Sequence, residues 1–170
     1  KSLDGAIDRY DTLNNFPRVM AQIGFDAEDS EKAIKKLSDG IQGLPTRLDE
    51  VASTTQRIAV MTGDLEGAVD TTLALNNAFL ASGASAQDAQ RGIEQYLQML
   101  AKGEVDAQSW KTLQETMPYA LRKTAEAFGF AGERATDDFY EALKSGEITM
   151  SEFNAKLIEL DQAQGGFAET

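Results

Sequence analysis

Apolar residues recur along this chain at intervals of three and four, the period of one helical face. Ile34, Leu37, Ile41 and Leu44 fall on such a face, and after Pro45 the same pattern runs through Leu48, Val51, Thr55, Ile58 and Met61. Ala89, Ile93, Tyr96, Leu97 and Leu100 give it again. No convincing run of alternating β-branched residues competes with it. The segment ends carry matching chemistry. Thr46-Arg47-Leu48-Asp49, Ser85-Ala86-Gln87-Asp88 and Thr149-Met150-Ser151-Glu152 each place a hydroxyl three residues before a carboxylate. That spacing lets the hydroxyl accept from an orphan backbone N–H while the acid reaches back or complements the helix dipole. Gly63, Gly83, Gly103, Gly129 and Gly146 each follow a periodic stretch, as helix C-terminal glycines do.

The pattern predicts an all-α fold, a compact array of about eight helices over residues 3–22, 28–42, 46–62, 65–82, 85–102, 106–128, 135–145 and 149–162. Pro17 and Pro118 fall inside two of these and predict a kink or break, since proline cannot donate the helical bond. Around Pro118 the face Trp110, Leu113, Met117, Leu121, Ala125 and Phe128 continues, so the expectation there is a bent helix or two abutting ones. Gly103-Glu104-Val105 precedes Trp110 as Gly146-Glu147-Ile148 precedes Phe153, each reading as stop, short turn and capped helix with an aromatic anchor. A minor β-bridge between the two turns is a further expectation. Residues 1–162 are predicted to form the helical domain, with a point of subdivision between 1–44 and 45–162, and 163–170 to be a flexible tail or linker. The opening residues lack the apolar segment of a secretory signal, and Lys1 in place of an initiator Met is expected of a fragment or processed product.

Composition narrows the chemistry. The 170 residues include no Cys and no His, which removes thiol nucleophiles, Ser-His-Asp triads, Cys/His zinc sites and imidazole bases. Lys and Arg number 16 against 28 Asp and Glu, a net charge of −12 spread along the whole chain. Broad electrostatic binding to nucleic acid needs clustered basic residues, so none is expected. No apolar run approaches the length that spans a bilayer, and no membrane association is expected of this segment.

Candidate sites fail one by one. Gly146, Ile148 and Glu152 match the sixth, eighth and twelfth positions of a calcium loop, but Leu143 would stand third, where an oxygen ligand is required. The Gly103 copy is worse, with Leu100 third and Ser109 twelfth. Asp137-Asp138 and Asp49-Glu50 are adjacent, which on a helix splays the side chains apart. Both pairs lie in first turns, where acids complement the dipole. No phosphate-binding glycine loop or dinucleotide fingerprint occurs, and Gly165-Gly166 precedes no helix. The aromatics Tyr96, Trp110, Tyr119, Phe128, Phe130, Phe139, Tyr140 and Phe153 are expected as core before ligand surface. No catalytic, cofactor-binding or metal-binding residue is predicted, and no cofactor.

The stretches Gly43-Leu44-Pro45-Thr46, Ala74-Leu75-Asn76-Asn77-Ala78-Phe79-Leu80-Ala81-Ser82-Gly83 and Gln95-Tyr96-Leu97-Gln98-Met99-Leu100-Ala101-Lys102-Gly103 resemble the tape measure domain of tailed-phage (or prophage) tail tape measure proteins. So do Trp110-Lys111-Thr112-Leu113-Gln114-Glu115-Thr116-Met117-Pro118, Ser145-Gly146-Glu147-Ile148-Thr149 and the opening Ile7-Asp8-Arg9-Tyr10-Asp11-Thr12-Leu13-Asn14-Asn15-Phe16-Pro17. The resemblance is collinear over most of residues 5–160. It implies a non-enzymatic structural and assembly module of a viral tail, contributing to tail length through protein–protein contacts. Implied partners are phage tail proteins (tail tube and assembly chaperones) and further copies of itself. The implied location is the interior of the virion tail, and the bacterial host cytoplasm during assembly. A compact array of helices spans little at 1.5 Å per residue, so an attachment or folding module fits better than the ruler itself. Two other readings stand beside it: a carboxylate-based cell-wall hydrolase, which needs two acids converging in a groove, and a general helical adaptor.

Overall fold

The computed structural model describes residues 2–163 and 165–167. Among them nine helices follow one another: α1 (Ser2–Gln22), α2 (Ala27–Gly40), α3 (Leu48–Thr62), α4 (Leu65–Ala81), α5 (Ala86–Lys102), α6 (Ala107–Thr116), α7 (Pro118–Ala127), α8 (Ala135–Ser145) and α9 (Met150–Gln162). The all-α expectation holds, and the elements coincide closely with those the periodicity predicts. The chain forms two compact units, residues 1–73 and 74–170, with the boundary inside α4.

Where the structure departs from expectation, backbone chemistry gives the reason. The predicted helix 106–128 is two helices, making nine where about eight are expected. Met117 stands between them at φ −140° and ψ 54°, outside the helical region, because the ring of Pro118 crowds the residue before it. Pro118 itself is the first residue of α7, where its missing N–H costs nothing. Pro17, by contrast, does not break α1. Burial of Phe16 and Met20 beside it offsets the one bond it removes. The expected hydroxyl cap at Thr46 is not the cap of α3. That helix starts at Leu48, two residues after the predicted start, with Arg47 in the cap position and no side-chain cap bond. The β-bridge between the Gly-Glu turns is absent among the described residues. Their backbone donors close helices instead: Gly103 N donates to Met99 O at 2.8 Å and Ile148 N to Ala142 O at 3.1 Å.

Residues 1–73 alternate in direction, which three cross-links establish. Arg9 of α1 donates to the Ser38 carbonyl (3.1 Å) and hydroxyl at the end of α2, so α1 and α2 are antiparallel. Arg47 reaches Asp8 at 3.3 Å, setting the start of α3 beside the first third of α1. The Thr55 hydroxyl donates to that of Thr72 at 2.9 Å, a buried pair between α3 and the first part of α4. Thr72 in turn donates to Ala68 O, so neither hydroxyl is buried without a partner. Phe16, Met20, Ile34, Leu37, Ile41, Val51, Ile58 and Val69 fill the space between these helices.

Residues 74–170 are built on two matching helix–turn–helix hairpins, α5–α6 and α8–α9, displaced by 43 positions. Tyr96 corresponds to Phe139, Gly103 to Gly146, Val105 to Ile148, Asp106 to Thr149 and Trp110 to Phe153. Gly103 and Gly146 both close their helices in the left-handed region, at φ 72° and 85°, where a Cβ would be strained. Asp106 and Thr149 then cap the next helix, accepting from Ser109 N and Glu152 N. Each hairpin packs its aromatic residues against the other's. Tyr96 meets Phe153 edge-on at 5.5 Å between centroids, and Phe139 meets Trp110 edge-on at 5.4 Å. The two contacts are the same contact under exchange of the hairpins. Trp110 and Phe153 also meet edge-on, at 6.1 Å between centroids. Asn77 of α4 bonds Asp161 of α9 at 2.9 Å, and Phe167, within the predicted tail, is buried. Residues 164 and 168–170 lie outside the described residues.

Candidate interaction surface

Of the aromatic residues between 96 and 153, Tyr96, Trp110, Phe139 and Phe153 form core, while Tyr119, Phe128, Phe130 and Tyr140 are half-buried. Tyr96, Phe139 and Phe153 are fully enclosed, and Trp110 is nearly so. Tyr96 places its hydroxyl 2.8 Å from Asn154 Oδ1, and burial pushes its phenol well above the ordinary range. Of the acidic pairs, Asp137, Asp138 and Asp49 are held by arginine. Asp137 and Asp138 share Arg134 at 3.8 and 3.6 Å. Asp49 accepts from Arg47 at 2.8 Å, a hydrogen bond that holds its carboxyl below the usual range. Glu152, which a calcium loop would need free, accepts from Thr149 N at 2.8 Å in a reciprocal capping box.

The exposed large apolar side chains of the described residues fall within residues 1–73. On α1, Ile7 is 50 % exposed and Tyr10 68 %. Val19 and Ile23 near its end, with Val60 and Met61 at the end of α3, are also exposed. A groove of about 520 Å³ runs between α2 and the α3–α4 turn. Phe25, Ala33, Leu65 and Val69 give it apolar surface, while Asp26, Asp29, Asp64 and Glu66 set carboxylates against Lys32 and Lys36. Two of those acids serve the fold: Asp26 accepts from Asp29 N and Asp64 from Gly67 N, capping α2 and α4. Lys36 is tied to Asp70 at 2.7 Å. The exposed face of α1 escapes notice in the sequence because Leu13, Phe16 and Met20 offer a second apolar face on the same helix. The spacing 7, 10, 14, 17, 21 is the pattern that marks it.

Compared with known protein families, residues 4–170 match the tape measure protein family model. The chain belongs to the tape measure protein family. No curated protein and no solved structure matches it. A tape measure protein is a structural component of the phage tail.

The stretches that resemble tape measure domains are packing and capping residues in this structure. Within 74–83, Ala74, Leu75, Ala78 and Phe79 are buried, and Gly83 ends the turn at φ 73°. Within 110–118, Trp110, Leu113, Thr116 and Met117 are buried, and Pro118 starts α7. What marks this tape measure segment is therefore its fold. No helix among the described residues is long and apolar enough to cross a membrane, and no group of three or more acids is placed there to hold a metal ion.

Proposed function

We propose that this segment is a non-enzymatic assembly module of its tape measure protein. In this reading it contributes to tail assembly and length determination by binding other proteins, and residues 1–162 supply the helical framework. The supporting observation is the family match across residues 4–170, joined to motif residues that serve packing and caps. Exposed apolar residues are concentrated on α1 and the end of α3, which suits helix-to-helix recognition of tail-tube subunits, assembly chaperones or further copies. The module works in the host cytoplasm during assembly and resides in the tail interior afterwards.

Deletion of the codens for residues 4–170 from the phage genome tests this. Electron microscopy of the progeny is expected to show few tails, or tails of altered length. Purified tail-tube and chaperone proteins are expected to retain the wild-type segment on a column. Normal yield and length after the deletion overturn the proposal.

A further inference from the structure

We propose that α1 pairs antiparallel with α1 of a second copy of this chain. Ile7, Tyr10, Asn14, Pro17 and Ala21 are separated by three, four, three and four residues, the spacing of a seam between two helices. Ile7 and Tyr10 are the most exposed large apolar side chains among those described on that helix, and Asn14 and Ala21 are exposed beside them. Asn14 is held along the seam by its own amide, which donates to Tyr10 O at 3.0 Å. The buried residues Phe16 and Met20 turn the opposite way, into the fold.

The charges beside the seam select a second copy as the occupant. Asp11 and Arg18 flank it a heptad apart, both exposed, and neither has an ion pair within the chain among the described residues. Setting Asn14 opposite the partner's Pro17 in an antiparallel pair puts Tyr10 opposite the partner's Ala21, the large ring over the smallest residue of the stripe. Asp11 then stands two residues, about 3 Å at 1.5 Å per residue, from the level of the partner's Arg18. The two-fold axis repeats the same ion pair on the other side, as an isologous interface requires. A parallel pair sets Asp11 against the partner's Ala6 and Arg18 against the partner's Leu13, so it matches no charge. This inference does not rest on the tail-assembly reading.

Sedimentation velocity of the 170-residue chain over a concentration series provides the test. The wild type is expected to show a reversible monomer–dimer equilibrium, weakened by added salt. Asp11→Arg and Arg18→Asp each set like charges together twice and are expected to weaken association about tenfold or more. Mixing the two variants in equal amounts is expected to restore it, because every pair again holds one carboxylate and one guanidinium. A wild type that stays monomeric to about 1 mM overturns the proposal. So do single variants that associate as the wild type does, or a mixture that stays apart.

Discussion

Gly92 lies in the middle of α5, where replacing glycine by alanine ordinarily stabilises a helix by roughly 1 kcal/mol. Here the structure predicts the opposite sign. A Cβ built on Gly92 falls 2.6 Å from Phe79 Cζ and 2.7 Å from Thr116 Oγ1, against an ordinary contact of 3.4 Å or more. Neither neighbour has room to yield. Phe79 is 2 % exposed, and the Thr116 hydroxyl is committed to Thr112 O at 2.8 Å. Overpacking of a filled core costs about 1–3 kcal/mol, occasionally more, and a clash with two neighbours belongs at the upper end. Subtracting the helical gain leaves Gly92→Ala about 1–2 kcal/mol less stable than wild type. Urea unfolding followed by far-ultraviolet circular dichroism and by the fluorescence of the single tryptophan measures the difference. Phe79→Leu supplies a second arm: in the Gly92→Ala background it opens space for the methyl. The double variant is expected to recover about 1 kcal/mol relative to the sum of the single effects. A Gly92→Ala protein as stable as wild type, or more stable, refutes the reasoning.

Trp110→Ala is expected to cost about 3–5 kcal/mol, since it empties the contact between the hairpins. Trp110→Phe is expected to cost only about 1–2 kcal/mol, because the buried indole N–H has no acceptor to lose; equal denaturation midpoints for the two variants would contradict this. Asp106 is held below the ordinary aspartate value of 3.8, first by the bond from Ser109 N at 2.8 Å. A depressed folded-state value means stability that is present above 3.8 and lost as pH falls through the lower folded value. Asp106→Asn, which retains a capping oxygen but cannot titrate, is therefore expected to lose less stability than wild type between neutral pH and about pH 2. Unfolding midpoints at the two pH values measure it.

The helices were legible because their ends are written in local chemistry. Ser85 and Thr149 cap the helices they precede, and Gly103 and Gly146 close theirs, as side-chain and backbone sterics require. The hairpin repeat was legible in the same way, through its turns and anchors. Three features depend on tertiary contacts and were not. The start of α3 moved to Leu48 in the company of an Arg47 drawn to Asp49 and Asp8. Phe167 is buried although its neighbours read as a linker, because local glycines say nothing about what a following aromatic meets. On α1, two apolar faces share one helix, and only packing against α2 and α3 decides which is covered.

The exchanged aromatic contacts of the two hairpins also govern how the chain emerges from a ribosome. The first hairpin does not enclose its own aromatic residues: Trp110 is covered by Phe139 and Phe153, and Tyr96 by Phe153. From Trp110 to Phe153 the ribosome must add 153 − 110 = 43 residues. At about 5–20 residues per second this takes roughly 2–9 s, during which the first hairpin displays its aromatic face uncovered. A nascent tape measure chain is thus open, for seconds in every round of synthesis, to any helper that binds apolar helix faces.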